Sequence, residues 1–452
     1  MILWFVPGPQ GVEPAAWHLF AIFVATIVGI IAKPLPMGAV ALLGITATVL
    51  TGTLTLAQGL SGFSNSTIWV VVIAFFISRG FLKTGLGRRI AYLFVAGLGR
   101  NSLGLGYGLA ATDLVLAPGV ASITARGGGI VYPVLLSISK VYGSEPNSPS
   151  ARKIGAFLTQ CAYQANCITA AMFITAMAAN PLAVELAGGM GITITWTSWA
   201  LAALVPGLLS LIVVPLVLYY VYPPEIKRTE AATDLAREEL SKMGQMKRSE
   251  WMLLAIMAFL LILWIFGGRV NIDATTAAFA GLALLLLSGV LTWKDVTGEH
   301  EAWNTLTWFA GLVMMASFLN SMGLTTWFSE AVGARIAGWS WVPAFLGLSL
   351  IYFYSHYFFA SNTAHIASMY AAFLAVALVV GAPPLLAALV LGFFSSLFAS
   401  LTHYAAGPAP IFFGSGYVEL GKWWQLGLLV SVVNIVIWLG VGSVWWKILG
   451  LW

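Results

Sequence analysis

The sequence predicts an all-α polytopic membrane protein made of two inverted-topology repeats, each with a re-entrant helical hairpin and a broken transmembrane helix. Three observations predict it. Of the 452 residues, 60% are hydrophobic and only 8% charged. A chain this apolar cannot hide its surface in a water-soluble globule, and runs near the roughly 20 residues that span a bilayer recur throughout. Second, a short phrase occurs twice: Ala121 to Arg126 reads A-S-I-T-A-R, and Ala360 to His365 reads A-S-N-T-A-H, 239 positions later. Asn65 and Trp69 recur as Asn304 and Trp308, and Gly85 and Leu86 recur as Gly323 and Leu324. Thr175-x-x-Ala-Ala-Asn-Pro181 recurs as Thr402-x-x-Ala-Ala-Gly-Pro408. Small residues that let helices pack closely in a bilayer would account for the Ser and Thr, but not for landmarks repeating in order. Third, of the 21 Lys and Arg, only Arg269, Arg335 and Lys447 fall in outer loops when the second half is inverted, while Arg79 and Arg126 lie within membrane segments.

The first repeat is assigned to 1–222, with scaffold spans over 1–84. Met1 to Val6 is apolar and meets Pro7 and Pro9 at once, so it reads as the last turns of a span, and no Lys or Arg precedes Lys33 to make a signal-peptide n-region. Full spans follow at Trp17 to Ala32, Met37 to Leu54 and Ile68 to Leu82. Lys33 and the cluster Lys83, Arg88 and Arg89 are separated by two spans, so they share one face, cytoplasmic by the positive-inside rule. Residues 88–101 are too short to span and read as an interfacial helix. The segment 103–140 has basic residues on both flanks and Pro118, Ser122 and Gly127 to Gly129 at its middle. It enters and leaves on one side as a re-entrant hairpin, whose irregular tip is tolerated only inside protein or water. A broken helix at 154–185 then crosses outward, interrupted at Asn180-Pro181, and the span 198–222 returns.

Residues 223–250 carry Lys227, Arg228, Arg237, Lys242, Lys247 and Arg248 against six acids and read as a cytoplasmic linker with a short helix. The second repeat, 251–452, mirrors the first. It has scaffold spans over 251–322, a hairpin at 340–380 that opens from the other face, a broken helix at 382–408 and a last span at 423–446.

A hairpin tip exposes backbone N–H groups and hydroxyls at the start of its second arm, where the helix dipole favours an anion. Two tips meeting from opposite faces suit a substrate with two carboxylates better than a sugar or an amine. Ser122 and Thr124 would serve one end, and Ser361, Asn362 and Thr363 the other, as neutral donors; Thr402, Gly407 and Pro408 extend this substrate-binding set. Arg126 and His365 stand at equivalent positions just past the tips, and a charge at membrane depth is costly enough to suggest a substrate or conformational role. Asp113 is either a proton-coupling acid or the partner of Arg126; Asn180 and Ile123 complete the candidates. His356 and His403 read as structural, as do Cys161 and Cys167, which are off any ligand spacing. Gly127 to Gly129 lacks a following Lys-Ser/Thr, and no H-E-x-x-H occurs, so a nucleotide loop and a metalloenzyme are unsupported. No basic face for nucleic acid is present. A channel would need a continuous polar path, whereas the polar groups concentrate at two tips.

With these tips, and with G-L-S-G-F-S-N-S at 59–66, K-T-G-L-G-R-R at 83–89, Y-P-P-E-I-K at 222–227 and A-G-P-A-P-I-F-F-G-S-G-Y at 406–417, the sequence resembles the divalent anion/sodium symporter family. Within it, the bacterial citrate/succinate and tartrate/succinate antiporter branch is the most similar. The resemblance implies a homodimer in a bacterial inner membrane, embedded in lipid, each protomer having a scaffold and a transport domain that moves as an elevator. It also implies exchange of di- or tricarboxylate anions without a cofactor and without sodium. The rival is a sodium-coupled importer of the same anions. Position 123 is Ile where the family has Asn, which removes one amide from the first tip.

Overall fold

A computed structural model describes residues 2–324, 326–328, 330–331 and 340–452. Among them every regular element is helical, and the one extended pairing is an isolated bridge between Asn101 and Arg228. Among the described residues seven helices are long and apolar enough to cross a membrane: Pro14–Ala32, Ser66–Thr84, Trp196–Val221, Arg248–Val270, His300–Ser321, Asn362–Val379 and Leu420–Ile448. The chain is a multi-pass membrane protein.

Polar residues start the helices where the first N–H groups lack partners. Asn65, Asn101, Thr195 and Thr292 each accept a backbone N–H two or three residues into their helix, at Ile68, Gly104, Ser198 and Asp295. Gly85, at φ 81°, ends Ser66–Thr84 and starts Leu86–Leu98, a left-handed turn that a side chain would strain. Gly323 holds the same φ of 81° after His300–Ser321. The linker folds as the helix Glu230–Met243 and is pinned by a buried ion pair: Arg89 Nε donates to Glu250 Oε1 at 2.7 Å and Nη1 to the Gly244 carbonyl at 2.9 Å.

The first hairpin has arms Ser102–Leu116 and Ile123–Val141, and the second has Trp341–Tyr354 and Asn362–Val379. Their tips are built alike. Ser122 Oγ accepts the Ala125 N–H, and Ser361 Oγ accepts the Ala364 N–H. In each, one α-turn passes into a π-helical stretch, Gly127–Val131 and Ile366–Tyr370. Such bulges gather at functional positions in helices.

Between the hairpins lies Gly155–Met172, buried along its whole length. The chain breaks at 173–178 and resumes as Ala179–Gly188. The interruption therefore precedes Asn180-Pro181 instead of falling on it. Proline is tolerated in a first turn, where its missing N–H has no partner to lose. Asn180 Nδ2 donates to the Ala170 and Phe173 carbonyls at 2.7 and 2.9 Å, satisfying the end of the preceding segment. The second broken helix is Pro384–Leu397 with Phe398–Ser400, resuming at Ala409–Gly414, so its far segment lies beyond the expected limit at 408.

Candidate functional site

Both tips open on one cavity of about 750 Å³. Ser122, Ile123 and Thr124 line it from the first hairpin, Ser361, Asn362 and Thr363 from the second, and Gly407 from the second helix break. Six of the eight residues assigned from sequence to substrate binding thus meet at one place. A Cβ at Gly407 would overlap Thr124 Oγ1, so the break in one half approaches the tip of the other only because position 407 carries no side chain. Thr402 and Pro408 do not line the cavity. Both are buried in the turn behind Gly407, and that packing is what carries Gly407 forward.

The tips differ in chemistry. Ile123 presents an apolar branch to the cavity and packs against the core. Asn362 is 5% exposed; its Nδ2 donates to the Ser395 carbonyl at 3.1 Å, while Oδ1 has no partner among the described residues. The sequence reading made Asn362 a donor. The amide nitrogen is already engaged within the protein, and the oxygen is buried, so neither end of the amide is free in the cavity. The donors toward an anion are then the Ser122, Thr124, Ser361 and Thr363 hydroxyls and the N–H groups of two converging helix starts.

Arg126 lies beneath the first tip, fully buried, and does not face the cavity. Its Nε donates to Asp113 Oδ2 at 3.0 Å, Nη1 to the carbonyls of Val120 at 2.8 Å and Ala176 at 2.9 Å, and Nη2 to Thr169 Oγ1 at 3.3 Å. Asp113 also accepts from Asn166 Nδ2 at 3.0 Å and from the Thr169 hydroxyl. Asp113 is thus the partner of Arg126. The pair occupies carbonyls that two irregular stretches, 117–122 and 173–178, cannot use in helices.

His365 is buried beneath the second tip in the corresponding place. Its ring lies between Phe359 and Phe398, with centroids at 4.4 and 4.5 Å, and its Nδ1 meets His356 Nδ1 at 2.9 Å. His356 Nε2 donates to the Ala405 carbonyl at 3.1 Å. Each tip is therefore joined to a helix break by a basic side chain, and neither His365 nor Asn180 reaches the cavity. Sequence reasoning missed the residues opposite the tips: Lys33, Arg79, Glu299, Glu301 and Asn304 line the same cavity. Their signals were Arg79, a charge inside an otherwise apolar span, and Asn304, the repeat of Asn65.

The family described as the sodium:sulfate symporter transmembrane region matches residues 1–452. The chain belongs to this family. It is 52% identical over 455 residues to dicarboxylate transporter 1, chloroplastic, of Spinacia oleracea, covering 100% of this chain and 80% of that one. It is 37% identical over 471 residues to the citrate/succinate antiporter of Escherichia coli (strain K12), covering 100% and 96%. Among solved structures, that of the Alcanivorax borkumensis YdaH transporter superposes with a TM-score of 0.61 at 14% identity, covering 96% of this chain and 99% of that one. This last likeness concerns the fold alone. The sodium:sulfate symporter family is one of transporters.

Proposed function

We propose that this protein is a carboxylate transporter of a bacterial inner membrane, and specifically a sodium-independent exchanger of dicarboxylates of the succinate type. The relatives named for dicarboxylates and for citrate and succinate support the substrate class. The Arg126 bridge carries the claim of sodium independence. Sodium needs a cage of hydroxyl and carbonyl oxygens, and around the first tip Val120, Ala176, Thr169 and Asp113 would offer one. The Arg126 guanidinium already holds all four. At the second tip His356 holds the Ala405 carbonyl. The oxygens at the first tip are therefore taken and do not fit a free cation, and a guanidinium paired with Asp113 stands under the helix start that faces the anion.

In this reading each carboxylate sits on one tip, held by hydroxyls and helix N–H groups, neutral donors that let the anion leave. The two halves are inverted repeats, and the protein is a homodimer in which the scaffold, 1–84 and 251–322, stays while the hairpins and broken helices carry the anion across as an elevator. Tips that cannot cross without their anion make transport an exchange.

The family's description names sodium, and a sodium-coupled symporter of divalent anions is the reading to exclude. Uptake of labelled succinate into proteoliposomes, with internal succinate and external sodium varied independently, separates the two. The exchanger needs internal dicarboxylate and ignores sodium; uptake that requires sodium but no internal substrate would overturn the proposal.

A further inference from the structure

Arg79 is the exception on its helix. From Val70 to Phe81 it is the one exposed residue, and it turns into the cavity that holds both tips. Among the described residues its guanidinium enters no salt bridge and no hydrogen bond. Its neighbour Ser78 accepts the Ala121 N–H at 2.9 Å, so the charge is carried beside the first tip. The mouth also holds Lys33, Glu299 and Glu301. Burial raises the Glu299 carboxyl above its usual range and Arg79 pulls it back. The equivalent helix carries no such charge among the described residues. The offset that relates Asn65 to Asn304 and Trp69 to Trp308 carries Arg79 to Phe318, and the one that relates Gly85 to Gly323 carries it to the exposed Ser317, while Lys33 falls on Ile272.

Resting on the carboxylate reading above, we infer that Arg79 is a specificity-determining residue that holds the dianion at the Lys33 face only. It sits on Ser66–Thr84, which packs mainly against Ala274–Leu287 and His300–Ser321 and meets the first hairpin at its edge, through the Ser78–Ala121 hydrogen bond and the Phe81 ring beside Gly119. When the tips move to open on the opposite face, Arg79 does not accompany them, and the equivalent wall there offers Ser317 and Asn320 without a cation. A dianion therefore meets a free guanidinium from one face of the membrane and an uncharged wall from the other. The consequence is a lower half-saturation on the Lys33 face than on the opposite one, and a salt dependence confined to that face, because a charge in a water-filled mouth is screened by ions.

The test is succinate–succinate exchange in proteoliposomes with orientation fixed by a protease site placed in Glu230–Met243, with half-saturation measured separately on each face. Arg79→Gln should raise half-saturation on the Lys33 face about tenfold, the size of one charge–charge interaction of ~1–2 kcal/mol with a dianion at a wet site. It should leave the opposite face unchanged and flatten the salt dependence, and Arg79→Lys should restore most of the loss. Equal shifts on both faces, or none on either, in a variant that still exchanges, would sink this inference alone. A wild type that exchanges no carboxylate would remove the carboxylate reading and this inference with it. Among the described residues Arg79 makes no hydrogen bond or ion pair that holds the fold, so the Gln variant should be produced and melt like the wild type.

Discussion

Replacing Arg126 by Gln separates a structural pair from a functional cation. In the wild type four donor contacts of 2.8 to 3.3 Å tie the guanidinium to Asp113, Val120, Ala176 and Thr169, and both charged partners are at most 1% exposed. Removing one member of a buried ion pair leaves the other desolvated without compensation, which costs about 3–5 kcal/mol. Here two carbonyls of irregular backbone are orphaned as well, so the upper half of that range is expected. The double variant Arg126→Gln with Asp113→Asn removes both charges and keeps groups able to bond Asn166 and Thr169, so most of the lost stability should return. Transport should not return, because the positive charge beneath the first tip is still missing. Thermal unfolding in detergent, followed by tryptophan fluorescence, gives the first quantity; succinate exchange in proteoliposomes gives the second. A double variant that exchanges like the wild type would show that Arg126 only fills space and satisfies carbonyls, and the argument for sodium independence would lose its support.

Asn362→Ala should weaken succinate and 2-hydroxy dicarboxylates alike, because Asn362 acts by tying the second tip to the Ser395 carbonyl and its unpartnered Oδ1 is buried out of a ligand's reach. The loss expected is about 0.5–1.5 kcal/mol, roughly 2- to 12-fold in competition assays, and a loss confined to the hydroxy acids would refute this role. Gly407→Ala should abolish exchange while the protein still inserts, since a Cβ there overlaps Thr124; wild-type exchange would mean that the tip and the break are not in contact during transport. Asp295 lies at the Lys83 face, where burial would raise its carboxyl but the Lys83 ammonium at 2.6 Å and the Thr292 hydroxyl and N–H outweigh it, holding it well below the usual range. A depressed carboxylate contributes stability above its unfolded value near 3.8, lost as pH falls below that. The melting advantage of wild type over Asp295→Asn should therefore be present at pH 7 and shrink below about pH 4, and a difference independent of pH would show that the carboxylate charge is not what matters.

The paired tips were legible because they rest on local rules. A serine three residues before the N–H it caps, set between apolar arms with basic flanks, marks the first hairpin, and repetition marks Ser361 as the equivalent of Ser122. Charges were legible only as to depth. Arg79 and Arg126 look alike in sequence, each a lone arginine inside apolar residues, yet one stands free in the cavity and the other is fully buried. What separates them is not local. Arg126 finds Asp113 on the opposite arm and the Ala176 carbonyl on another helix, whereas Arg79 projects from a helix whose other faces are packed and whose remaining direction is the cavity. The same holds for Asn362, whose residue type announces a donor and an acceptor but not which of them Ser395 consumes. Asn180-Pro181 predicts an interruption, since proline inside a helix breaks it. It begins a helix instead, since the same missing N–H is harmless in a first turn. Only the carbonyls of Ala170 and Phe173, brought within reach by the break itself, fix the choice. Local composition therefore predicts where a membrane protein departs from regular helix, and long-range partners decide what each departure exposes.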